Sequence, residues 1–180
     1  MANYVTEVST TGPTSSILAG TATVGIEGGK FLTFFLAGEE YGIEILKVHE
    51  IIGMMPITLV PRTPQFIRGV INLRGKVITV IDLRVKFDMQ PKEADDLTCI
   101  IVVQTCGAEI GIMVDQVSEV VDIPSHDIDA PPSFGQDVTT DFILGIGKLN
   151  DKVRLLLDID RVLSKQEIQE TRTVSAAKEN

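Results

Sequence analysis

Over most of the chain, apolar residues fall in short β-branched runs separated by turn-forming residues. "FLTFFLAGEEYGIEIL" (31–46) reads as two strands around a Gly-Glu-Glu turn, and the runs at 58–60, 70–73, 77–81, 98–105 and 110–114 read as further strands. In "KVITVID" (76–82), Val77 and Ile81 fall on one face and Ile78 and Val80 on the other. A strand apolar on both sides has to be covered on both sides. The period changes near the end. In "DIDRVLSKQEIQE", Ile159, Val162 and Leu163 form one stripe, which predicts a closing helix over residues 158–170, with 171–180 frayed. Residues 1–29 are rich in Ser, Thr and Gly, have no sustained period and read as a flexible tail. Two polar connectors, 88–96 and 122–141, separate the strand groups; the second is long enough to hold a short helix of its own.

The strand pattern repeats. "GEEYGIEILKVHEII" (38–52) sets over "GAEIGIMVDQVSEVV" (107–121), matching Gly38, Glu40, Gly42, Ile43, Val48 and Glu50 with Gly107, Glu109, Gly111, Ile112, Val117 and Glu119. "FIRGVINLRGKVITVIDL" (66–83) sets over "FILGIGKLNDKVRLLLDI" (142–159), matching Phe66, Ile67, Gly69, Leu73, Lys76, Val77 and Asp82 with Phe142, Ile143, Gly145, Leu149, Lys152, Val153 and Asp158. The offset is 69 in the first block (38 to 107) and 76 in the second (66 to 142), so the later copy carries a longer middle loop. Each copy is too small to bury a two-faced sheet alone. The expectation is a mainly β fold of two small, curled barrels packed side by side, the first over about 30–87 and the second over about 97–157, with the possibility that their ends exchange.

The repeat also sorts the polar residues. Asp82 and Asp158 each end a strand just before a helical segment, where a carboxylate accepts from the first free backbone N–H groups, so both read as helix caps worth ~1 kcal/mol. The turn between the last two strands differs between copies: Arg74-Gly75 in one, Asn150-Asp151 in the other. Asn and Asp tolerate positive φ, whereas arginine has no such excuse at a turn tip. Arg74 therefore stands out as a candidate functional residue, the alternative being a solvated turn charge.

Charge and composition narrow the function. Lys and Arg number 16 against 25 Asp and Glu, a net charge of -9, which argues against nucleic acid or anionic membrane as the main partner. No apolar run is long enough to span a bilayer, and "MANYVTEVST" lacks the features of an export signal, which predicts a cytoplasmic protein. Cys99 and Cys106 share one predicted strand at an odd spacing and read as reduced thiols packed as small apolar groups. His49 and His126 are the only histidines; Ser118 takes the place of His49 in the second copy, no G-x-S-x-G is present, and His and Cys do not cluster at metal-ligand spacing. No catalytic residue, metal or cofactor is expected. The residues alone leave an adaptor and a purely structural domain open, with surfaces and a seam between barrels as the places to bind a partner.

"YGIEILKVHEI", "FIRGVINLRGKVITVIDLR" and "GIGKL…LLLDIDRVL" together resemble the chemotaxis coupling proteins of the CheW family, over roughly residues 30–170. The resemblance implies two SH3-like five-stranded barrels and no catalytic activity. It implies a cytoplasmic adaptor, recruited to membrane-associated receptor clusters, that ties the cytoplasmic tips of chemoreceptors to the regulatory domain of the histidine kinase CheA. Carried over by position, the receptor-binding residues are Val48, Glu50, Asn72, Leu73 and Arg74. Glu50 recurs as Glu119, which makes it scaffold by the repeat; both roles hold if Glu50 anchors Arg74 across neighbouring strands. Thr79 departs from the family pattern, which often has proline there. Alternatives are the coupling protein of a non-flagellar chemosensory pathway and a small hydrolase with an unrecognised site.

Overall fold

The computed structural model describes residues 25–133 and 140–179. The first copy supplies β1 (Gly29–Leu36), β2 (Glu39–Glu44), β3 (Val48–Gly53), β4 (Ile67–Leu73) and β5 (Lys76–Asp82), followed by the short helix α1 (Leu83–Lys86). The second supplies β6 (Cys99–Thr105), β7 (Ala108–Val114), β8 (Gln116–Ile123), the two-residue β9 (Ile128–Asp129), β10 (Ile143–Leu149) and β11 (Lys152–Leu157), followed by α2 (Ile159–Val162) and α3 (Lys165–Glu179).

These strands make two sheets in the orders β8-β1-β2-β11-β10-β9 and β3-β6-β7-β5-β4. By the repeat, β1 to β3 correspond to β6 to β8, and β4 and β5 to β10 and β11. The two orders are then the same, but each copy has given its first hairpin to the other's sheet. The expected exchange between barrels is therefore present, and the sheets do not coincide with 30–87 and 97–157: both draw strands from both copies. The joins are parallel, Thr79↔Ile110 between β5 and β7 and Leu155↔Tyr41 between β11 and β2. Parallel neighbours need a crossover: from β5 to β7 the chain returns through α1, the 88–96 connector and β6, and from β2 to β11 it passes through the other sheet. The result is mainly β, in two like subdomains.

Detail follows the repeat closely. Backbone N–H of Asp82 donates to the Phe66 carbonyl, and that of Asp158 to the Phe142 carbonyl, each at 2.8 Å. Bulges fall at the equivalent places Ile67/Gly69 and Ile143/Gly145. Both copies keep glycine there because another segment crosses against it. A Cβ on Gly69 would sit 2.2 Å from the Thr58 carbonyl oxygen, and one on Gly145 2.7 Å from that of Asp129. The expected strand at 58–60 reduces to a single bridge, Thr58↔Val70, the counterpart of β9 beside β10.

The largest apolar cluster belongs to both sheets. Leu32, Phe34, Ile43 and Leu157 of one meet Ile81, Ile101, Val103 and Ile112 of the other. Each sheet also has a smaller core of its own, around Ile78 and Val80 in one and around Phe31 and Leu156 in the other. β5 thus divides its side chains between two cores, which is what its two apolar faces required.

Four further expectations change. Residues 1–24 of the predicted tail lie outside the described residues, and within 25–29 Ile26 packs on the Phe31 cluster instead of belonging to a flexible tail. The first hairpin turns at Ala37-Gly38, with φ of 50° and 85°, rather than at Gly-Glu-Glu. Cys106 is not packed as an apolar group: it sits exposed on a turn with φ of 46°. The closing helix over 158–170 is two helices: Leu163 is extended, and Ser164 caps α3, which continues to Glu179 instead of fraying after 170. Ser164 and Glu167 form a capping box, with Ser164 N–H donating to Glu167 Oε2 (2.7 Å) and Glu167 N–H to Ser164 Oγ (3.2 Å). Thr171 and Val174 are buried, and that packing carries the helix past the expected end.

Candidate partner-binding site

The β4–β5 turn places an arginine where its counterpart has Asn150. Arg74 and Gly75 both have positive φ (52° and 85°), which closes a two-residue hairpin in the hand that suits twisted strands. Asn72 Oδ1 accepts from the Gly75 N–H at 2.8 Å and holds the turn's base. A non-glycine residue in the left-handed region costs about 1 kcal/mol or more unless something holds it. Here Glu50 of β3 does: Arg74 NH1 donates to Oε1 at 2.8 Å and NH2 to Oε2 at 2.9 Å, the parallel two-bond geometry a planar guanidinium favours. These bonds, reinforced by the charge of Glu50, raise the Arg74 pKa above its ordinary value.

Exposure is unequal across the pair. The Arg74 side chain is 75% exposed and that of Glu50 22%. The carboxylate is thus the anchor, and the guanidinium keeps one face toward solvent. Leu73 packs half-buried on the β5 core beneath the turn. Val48 and Glu50 lie on β3 on either side of a bulge in its pairing with β6. Val48 turns toward the core shared by the sheets, so it does not join the Arg74 contact. The geometry therefore gathers Glu50, Asn72, Leu73 and Arg74 into one tip, with Val48 at its margin.

A second charged group borders this tip and was not legible in the sequence. Glu109 of β7 receives Lys76 Nζ at 2.5 Å and His49 Nδ1 at 2.6 Å. The Lys76 bond comes first among the causes that hold its carboxyl below the usual range, against the upward push of burial. His49, a stray histidine in the sequence, therefore has a partner on a strand from the other copy.

The second copy solves the same problem differently. Glu119 is the counterpart of Glu50, but its arginine comes from within a strand. Arg154, at the position of Ile78, is 2% exposed; its Nε lies 3.2 Å from Glu40 Oε2 and its NH2 3.7 Å from Glu119 Oε1. NH1 donates to the Leu149 carbonyl at 3.2 Å. The Asn150-Asp151 turn, with φ of 53° and 58°, consequently carries no arginine. The two tips are alike in backbone and unlike in charge.

Both aspartates at strand ends sit against the helices that follow. Asp82 Oδ1 accepts from the N–H groups of Arg84 (2.9 Å) and Val85 (3.4 Å), and Asp158 Oδ1 from that of Asp160 (3.0 Å). Arg84 then reaches back with a clamp the sequence did not reveal. Its Nε and NH2 donate to Asp115 Oδ1 and Oδ2 at 2.6 and 2.5 Å, while Asp115 also accepts from Ala37 N–H. Burial pushes the Asp115 carboxyl up, but Arg84 and the Ala37 N–H outweigh it and the net displacement is downward. This is a structural tie between α1, the β7–β8 turn and the β1–β2 turn. Among the described residues no group of His, Cys, Asp and Glu is placed to hold a metal ion.

Comparison with known proteins agrees with this architecture. The CheW-like domain family matches residues 30–167. The chemotaxis protein CheW of Klebsiella aerogenes is 42% identical over 156 residues, covering 84% of this chain and 94% of that protein. CheW of Helicobacter pylori is 35% identical over 136 residues, covering 76% and 82%. The crystal structure of the scaffolding protein TtCheW from Thermoanaerobacter tengcongensis superposes with a TM-score of 0.71 at 37% identity, covering 78% of this chain and 95% of that one.

Proposed function

The chain belongs to the family of CheW-like domains, chemotaxis coupling and scaffolding proteins, and from that premise we propose that it links the cytoplasmic tips of chemoreceptors to the regulatory domain of the histidine kinase CheA without catalysing a reaction. The receptor's helical hairpin docks on the tip formed by Glu50, Asn72, Leu73 and Arg74, with Val48 at its edge. One observation carries the choice of site: Arg74 is pinned by Glu50 on an otherwise unfavourable backbone and still presents most of its surface outward, while the equivalent turn has no arginine. A charge held still in advance binds with less ordering cost than a free one. On this reading the protein is recruited to membrane-associated receptor clusters by these contacts; among the described residues no helix is long and apolar enough to cross a membrane.

Co-sedimentation tests the reading. With receptor cytoplasmic fragments present, the protein brings the kinase into the pellet; kinase left in the supernatant contradicts an adaptor. Arg74→Glu weakens receptor binding and leaves the far-ultraviolet circular dichroism unchanged. A double-mutant cycle with Glu50→Gln and Arg74→Gln gives a non-zero coupling in receptor affinity, because Glu50 acts by holding Arg74. Full additivity removes that role.

A further inference from the structure

The face of β5 beside the tip is not vacant. α3 lies along β5, and its two halves are held in different ways. The first half is fastened by the Ser164–Glu167 capping box, by Lys86 Nζ on Glu167 Oε1 at 2.5 Å, and by Ile168 in the core shared by the sheets. Beyond Ile168, Val174 is the one large apolar side chain buried, and the remaining attachments are polar. Thr79 Oγ1 donates to the Thr171 carbonyl at 3.0 Å and lies 2.8 Å from Ser175 Oγ, and Arg172 donates to the Cys106 carbonyl. Under this half is a cleft of about 200 Å³ lined by residues including Lys76, Val77, Thr79, Glu109 and Ser175.

An isolated helix of this length is marginal in water and depends on what it packs against. A segment with few buried apolar contacts lies at the low-stability end of a fold and opens locally. The segment also occupies a significant place. Lys76 and Val77 follow the Arg74-Gly75 turn directly, and Glu109 holds Lys76 together with His49, the neighbour of Glu50.

We propose that residues 171–177 are a latch over the receptor-docking site. Seated, they cover the strip of β5 that runs from Thr79 toward the tip. Released, they uncover Val77 and Thr79 for a receptor helix that engages Arg74. The strip fits a helix bringing a backbone carbonyl, an apolar residue and a hydroxyl at the spacing of Thr171, Val174 and Ser175. The latch rests on the docking reading above. Receptor affinity is then reduced by the fraction of molecules in which the latch is closed.

Hydrogen exchange and receptor binding on the full chain test it together, using Thr79→Val, which keeps shape and removes the hydroxyl, and Thr79→Ser, which keeps the hydroxyl. In the parent protein, amides 172–177 exchange far faster than those of β7. In Thr79→Val they exchange about fivefold faster again, the size expected for losing hydroxyl bonds of ordinary strength, while β7 is unchanged. Receptor-fragment affinity rises severalfold in the same variant, and Thr79→Ser behaves like the parent. Amides 172–177 as protected as β7 would overturn local opening. Faster exchange with unchanged or weaker receptor binding would overturn the competition. If instead Arg74→Glu leaves receptor affinity untouched, the docking site is elsewhere; the competition falls with it, and the exchange rates alone still decide whether the segment opens.

Discussion

Replacing Arg154 with isoleucine, the residue its repeat partner carries, tests whether the interior ion cluster is a coupled unit. Arg154 and Glu40 are both nearly fully buried, 3.2 Å apart, whereas Glu119 at 3.7 Å is 57% exposed and can be hydrated when its partner leaves. Arg154→Ile therefore strands one carboxylate, that of Glu40. Removing one partner of a buried pair costs about 3–5 kcal/mol, because the remaining charge has lost both water and counter-charge. For a domain of this size, that corresponds to a melting temperature lower by roughly 6–20 °C. Adding Glu40→Leu takes away the stranded charge and supplies apolar surface, so the double variant returns to within about 2 kcal/mol of the parent. Urea unfolding at pH 7, followed by circular dichroism and fitted with a common slope, measures both differences. A single variant as stable as the parent, or a double variant no better than the single, refutes a coupled buried pair.

Other expectations concern the crossing glycine, the cap and the clamp. Gly69→Ala drives a methyl group into the Thr58 carbonyl at a φ of 138°, and costs roughly 3 kcal/mol or more in urea unfolding. Asp82→Ala lowers stability by ~1 kcal/mol, seen as a melting temperature lower by about 2–4 °C. The Asp115 carboxyl is displaced downward in the folded state, so its contribution is fully present above the ordinary carboxylate value and is lost as pH falls below it. Asp115→Asn is accordingly less stable than the parent at pH 7, and the gap narrows as unfolding is measured toward roughly pH 3. A gap that stays constant with pH excludes the Arg84–Asp115 charge interaction as its cause.

Much of the local structure is legible in the residues. The two blocks of matching positions mark the strand sets, and Asp82 and Asp158 stand where their side-chain oxygens meet free N–H groups of the next helix. Arg74 stands out because its counterpart is an ordinary turn residue. β3 is harder to read. "VHEIIG" alternates half-buried and exposed positions at a sheet edge, so its polar members dilute the apolar signal. The end of α3 is missed for a related reason: its buried residues include Thr171, which a search for apolar stripes passes over.

Partner choice is another matter. A period of two fixes which side chains share a face of a strand, and the repeat fixes that two such sets exist; both depend only on neighbours along the chain. Neither says that β1 and β2 join the sheet of β10 and β11, that Glu109 meets Lys76 and His49, or that Arg154 points inward between Glu40 and Glu119. Those pairings join residues far apart in the chain, and they are selected by the burial of both sheets at once. A strand's own sequence states the demand to be covered, and only the assembled fold determines what does the covering.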